Sequence, residues 1–153
     1  MRNWFDISAM LALTLWVGGM WAIGFIAAPA LFRLIPTHML AGMVAGKLFS
    51  LTALTGMTCG GWLVLHRFVR AGAGALRQST FWLIVAMLVL TVIGQYYVAP
   101  IINSLKHQAL PLDVMQSVFR SRFATWHGIA SLLFLIQSLL GLWLVTKQPS
   151  LFR

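Results

Sequence analysis

The sequence predicts an all-α fold, an integral-membrane four-helix bundle, and two observations carry that prediction. Of 153 residues, 60% are hydrophobic and only 8% are charged, whereas a soluble domain carries about 25% charged residues. The charges are also spaced as a membrane chain needs them. Uncharged runs separate Asp6 from Arg33, Lys47 from Arg67, Arg77 from Lys106 and Arg122 from Lys147. About 20 apolar residues rising 1.5 Å each cross about 30 Å of hydrocarbon, so each run is long enough. A mean hydropathy of +0.88 excludes a soluble enzyme and a disordered chain. The lone Cys59 excludes an internal disulfide framework and reads as a small packing residue.

Four spans follow, at 8–32, 42–65, 80–103 and 124–146, within a single membrane domain covering 1–153. No period-two alternation suggests a barrel, and lipid leaves helices as the other way to satisfy the backbone. The first span contains Ala28-Pro29-Ala30, which resembles a cleavage site. Its apolar stretch nevertheless exceeds the about 7–15 residues of a signal-peptide core, so it reads as a retained span. The first span closes on Ala28-Pro29 and the third on Ala99-Pro100, 71 residues apart. The second closes on Trp62-Leu63-Val64 and the fourth on Trp143-Leu144-Val145, 81 apart. Each half therefore reads as a helical hairpin, and the two hairpins as parallel repeats about an axis along the membrane normal.

Pro29 and Pro100 lie at matching depth, where proline bends or ends a helix. Small residues four apart, at Gly18 and Ala22, Gly42 and Gly46, and Gly56 and Gly60, mark where helices touch, because small side chains let backbones approach in lipid. Gly18-Gly19 also offers a groove for a bulky group.

The net charge of +9 fits lysines and arginines flanking membrane helices and meeting lipid headgroups. No basic-aromatic module for nucleic acid is present, so the expected partners are membrane lipids. The N-terminus, the 66–79 loop and the C-terminus carry Arg2, Arg67, Arg70, Arg77, Lys147 and Arg153. The opposite side carries Arg33, Lys47, Lys106, Arg120 and Arg122. The compact 66–79 cluster favours both termini in the cytoplasm.

Polar groups at membrane depth are costly and face an interior or a cavity. Lys47 opens the second span and His127 the fourth, at nearly equivalent repeat positions. Lys47, Ser50, Leu54, Thr58 and Gly61 share one helical face; Arg120, Ala124, His127, Ser131, Phe134 and Ser138 share another. If these faces meet, they enclose a basic outer-leaflet pocket of Lys47 and His127 with Gln95 and Ser131, and with Arg122 and Arg33 at its rim. Such a pocket suits an anion or an acidic amphiphile. The alternative is that Lys47 snorkels to the interface and His127 bonds a loop carbonyl. His38, Met39, Met43, His107, Met115 and His127 lie on the same side, and imidazole with thioether suits Cu(I). Their spacing is loose, however, and no Met-x-Met or Cys-x-x-Cys run exists. His66 and His127 lie on opposite faces and cannot hold one haem, which leaves His127 with His38 or His107. The only acids, Asp6 and Asp113, lie on opposite sides, so no paired-carboxylate chemistry is available. No nucleophile elbow, zincin helix or phosphate loop occurs.

Trp16-Val17-Gly18-Gly19, Ala28-Pro29 with Phe32, Gly46-Lys47-Leu48-Phe49 and Trp126-His127-Gly128 together resemble the transmembrane protein 205-like family. That resemblance, over roughly 8–146, implies a four-helix membrane domain of uncharacterised function. The family pattern follows His-Gly with a Ser and then an Asn; here Ser131 is present, but Phe134 and Gln137 stand where the amide is looked for. The fold is also similar, by analogy alone, to copper-resistance D-type proteins. It is similar in the same way to membrane protoporphyrinogen oxidases, whose His/Arg/Lys pattern is missing here. The expectation is a non-enzymatic, multi-pass protein of a bacterial inner membrane, without a bound cofactor, that binds or moves a small amphiphile or ion. It would act alone, as a homodimer or in a larger complex. A haem-, porphyrin- or quinone-binding redox protein and a structural subunit are the competing readings.

Overall fold

The computed structural model describes residues 4–110 and 114–147; Arg2, Asp113 and Arg153 lie outside them. Among the described residues, four helical rods are long and apolar enough to cross a membrane. They are α1 (Trp4–Leu34), α2 (His38–Arg77), α3 (Ser79–Ala109) and α4 (Arg120–Thr146). All four extend beyond the expected spans, because an α-helix continues through polar interfacial turns until a residue stops it. Ile35 is extended, as a residue before Pro36 tends to be, and ends α1. At Gly72 the backbone takes φ 52°, the left-handed value that a side chain disfavours. There the α-helical part of α2 (His38–Ala71) gives way to a 3-10 turn over Gly72–Arg77.

Contacts along the rods define an up-down-up-down ring. Asp6 meets His66 at one end of α1 and α2. Across α2 and α3, Phe68 faces Phe81 at one end and Lys106 bonds Gly42 at the other. Between α3 and α4, Gln137 Nε2 donates to Thr91 Oγ1 at 2.7 Å, and Tyr97 lies beside Trp126. Phe134 of α4 packs on Phe25 of α1 and Phe49 of α2. The start of α1, the end of α4 and the Gly72–Arg77 turn therefore share one end, termed the termini end; the other is the loop end.

Glycines govern how closely the rods approach. The Trp16 ring lies where Cβ atoms of Gly56 and Gly60 would stand, and Trp16 itself is 2% exposed. Around it Ala9, Leu13, Val17, Cys59, Leu63, Leu83, Ile84, Met87 and Leu144 form the buried core in the termini half. The Gly42–Gly46 surface faces the Lys106 ammonium instead. Gly18 and Gly19, expected at a helix contact, meet no heavy atom of another segment within 4 Å of a built Cβ.

The repeat is visible in backbone and packing. Neither Pro29 nor Pro100 ends its helix. Each follows a π-helical turn, Ala22–Ala27 in α1 and Gly94–Val98 in α3. Proline lacks an N–H, and its ring crowds the carbonyl four residues back. The wider turn accommodates it by shifting register: Ala28 N–H donates to Ile23 O and Ala99 N–H to Gly94 O. The two pairs differ by the same 71 residues. Packing obeys both offsets. A Cβ at Gly60 would meet Trp16 and Leu88; one at Gly141 would meet Val17 and Met87. Offsets of 71 for α1 and α3 and 81 for α2 and α4 carry Trp16 onto Met87, Val17 onto Leu88 and Gly60 onto Gly141, as a pseudo-twofold axis requires; Met20, which also approaches Gly141, has no counterpart among the atoms nearest Gly60.

Gly60→Leu should lower stability by about 1–3 kcal/mol, the usual cost of overpacking, while Gly18→Leu leaves it nearly unchanged. Thermal unfolding of both variants in detergent measures the contrast.

Candidate functional site

Helix rotation decides which polar residues converge. On α2 the inward face is set by Ala41, Ala45, Gly56, Cys59, Gly60 and Leu63, all buried. Lys47, Leu54, Thr58 and Gly61 consequently face outward and are exposed. On α4, Arg120, Ala124, His127 and Ser131 are also exposed. The expected enclosure of Lys47 with His127 is corrected accordingly: small residues took the interior of α2. Gln95 is tied elsewhere, its Nε2 donating to Ser50 Oγ at 2.7 Å. Ser131 donates to the His127 carbonyl of its own helix at 2.9 Å. Arg33 is exposed near the end of α1.

Two other residues organise the loop end. Lys106 Nζ donates to Gly42 O at 3.0 Å, on the surface left by Gly42 and Gly46, and lies 6.0 Å from the Phe123 ring centroid. Phe123 in turn stacks on His127, with centroids 5.5 Å apart. Arg122 lines a separate groove between α3 and α4 of about 350 Å³, together with Pro100, Ile101, Ser104, Leu105, Gln108 and Trp126. Among the described residues Arg122 has no hydrogen-bond or ion-pair partner.

His38 faces Phe32, and Met39, Met43, His107 and Met115 are exposed. Among the described residues no group of three or more His, Cys, Asp or Glu could hold a metal ion.

The termini end holds a polar cluster that sequence reasoning missed. Asp6, the one carboxylate among the described residues, accepts from Arg70 through both oxygens, with Arg70 Nε at 3.1 Å from Oδ1. His66 Nε2 lies 3.0 Å from the same Oδ1, and His66 is 1% exposed. Phe5 stacks on the imidazole at 4.6 Å and meets the edge of Trp62, whose Nε1 donates to Ser8 Oγ at 3.2 Å. Arg67 is buried one position further along α2. A signal was available: Trp62, His66 and Arg70 recur every four residues on one helical face, on the side that holds the first acid of the chain. The forked Arg–carboxylate bond and the imidazole pin the start of α1 to the end of α2.

Four helices long and apolar enough to cross a membrane, with the charged residues gathered toward the two ends, define the class, a multi-pass α-helical membrane protein. Residues 11–111 match the family described as a domain of unknown function, DUF4149, and the chain belongs to that family. The match covers most of α1, all of α2 and α3, and not α4. No curated protein and no solved structure matches the chain. Neither a transmembrane protein 205-like protein nor a copper-resistance D-type protein is among what the comparisons found.

Asp6→Asn and His66→Ala should each lower the melting temperature, and the double variant should fall short of the sum of the two losses. A double-mutant cycle by thermal unfolding reads this directly; strict additivity would mean that the two side chains do not act as one cluster.

Proposed function

We propose that the protein binds an acidic amphiphile at the loop end, in the groove between α3 and α4. The observation that carries this reading is Arg122, an arginine without a partner among the described residues, at the mouth of a largely apolar groove. A guanidinium presents forked donors that match a carboxylate or phosphate. Next to lipid it offers an oxyanion a stronger interaction than a fully hydrated surface cation does. No carboxylate lines the groove, so a zwitterionic headgroup would leave its cation without a counter-charge.

Orientation belongs to the same proposal. The basic cluster of Arg67, Arg70 and Arg77 supports a cytoplasmic termini end in a plasma membrane, which puts the groove in the outer leaflet. The motif set around Trp16, Ala28-Pro29, Gly46-Lys47 and Trp126-His127 supports kinship between this chain and transmembrane protein 205-like proteins.

Native mass spectrometry of protein extracted from mixed phosphatidylglycerol and phosphatidylcholine should show retained acidic adducts, reduced about tenfold by Arg122→Gln, which equals about 1.4 kcal/mol. Equal retention by the variant would remove the basis of the reading. A fluorescent protein fused after residue 153 should fold and fluoresce, as it does on the cytoplasmic side, while an alkaline phosphatase fusion there stays inactive.

A further inference from the structure

We infer that the α3–α4 groove takes a single-chain acidic amphiphile, its oxyanion on Arg122 and its tail descending along Trp126 toward Tyr97. This rests on the function proposed above and narrows it to a ligand class.

The lining is graded along the membrane normal. On α3, Gln108 is nearest the loop end, Ser104 lies one turn deeper, and Ile101 and Pro100 one turn deeper again, with Leu105 beside them. On α4, which runs the other way, Arg122 is nearest the loop end and Trp126 one turn deeper. Polar groups therefore collect at the mouth and apolar ones below. Below Pro100, Tyr97 is exposed and lies beside Trp126, at 6.4 Å between ring centroids. This is the shape of an amphiphile standing upright in one leaflet.

The head is specified by donors. Gln108 Nε2 donates to Ser104 Oγ at 3.0 Å, which occupies the oxygen as an acceptor and leaves the hydroxyl proton free to donate. With the guanidinium of Arg122, this hydroxyl offers donors to an oxyanion. A fatty-acid carboxylate and a lysophosphatidate share that chemistry. The tail is specified by space: about 350 Å³ is at the small end of ligand sites, which run from about 300 to 1,000 Å³. The groove suits one chain rather than two, and the aromatic wall gives that chain a contact that can be read optically.

The experiment uses the full chain in phosphatidylcholine nanodiscs, titrated with mid-chain-brominated fatty acid and, separately, brominated lysophosphatidic acid; bromine quenches tryptophan at contact. The expected result is saturable quenching by one or both. The share of the quenching that Trp126→Phe removes, read against the six other tryptophans, should shift about tenfold to higher concentration in Arg122→Gln, with a smaller shift in Ser104→Ala. Thermal unfolding of each variant confirms that the fold persists, and Arg122 and Ser104 are exposed positions whose replacement leaves the core intact. Arg122-dependent quenching by brominated two-chain phosphatidylglycerol alone would overturn the single-chain inference and leave the acidic-amphiphile reading standing. Absence of Arg122 dependence with every acidic lipid would overturn both. Equal quenching of the Trp126-dependent share by brominated phosphatidylcholine would show only bulk lipid in the groove and would also overturn both.

Discussion

The close approach of α1 to α2 over Gly56 and Gly60 is the contact on which the rest of the structure depends. In lipid, apolar side chains gain little by leaving one hydrocarbon environment for another, so association rests on dispersion at short range and on polar bonds between helices. A tryptophan seated against bare backbone maximises the first. Trp16 fills the surface that the two glycines leave, and Leu13, Leu63, Ile84 and Met87 close around it. Once that face of α2 is committed inward, its rotation is settled, and with it the fate of every polar residue on the helix. His66 is carried inward toward Asp6, while Lys47 is carried outward.

The same contact recurs in the second half with different side chains. Met87 takes the place of Trp16 and Gly141 that of Gly60, with slightly longer approaches, 3.3–3.5 Å from a built Cβ against 2.6–2.7 Å. The first hairpin is thus the tighter of the two, and it also carries the ion-pair cluster. The second hairpin carries the groove. The two hairpins share one scaffold: the π-turn before Ala-Pro is present in both, and the polar residues are divided between them. A π-turn releases proline strain without a hinge or a helix end, so both rods reach the loop end as continuous helices.

The two ends differ in how their charges are held. At the termini end an arginine, a histidine and a carboxylate satisfy one another beneath aromatic rings. At the loop end Lys106 is held by a backbone carbonyl and an aromatic face, and Arg122 by no described residue.

Composition and charge spacing by themselves determined the class, the number of spans and their approximate limits, because the cost of burying charge and unpaired backbone in hydrocarbon acts on every residue regardless of its neighbours; the recurring Ala-Pro and Trp-Leu-Val motifs marked the hairpin repeat. Gly56 and Gly60 were legible as a contact surface for the same reason, since four-residue spacing puts them on one side of any helix. The occupant of that surface was not legible, and neither was the lack of a close helix neighbour at Gly18 and Gly19, where Gly18 instead lines a shallow apolar hollow with Trp21, Ala22, Phe25 and Ile26, because helical spacing does not say which neighbour a face meets. Rotation about each helix axis, decided by the summed packing of all four rods, brought Asp6, His66 and Arg70 together, turned Lys47 away from His127, and set Arg122 over a groove. Pairing of residues some sixty positions apart is a property of the assembled bundle.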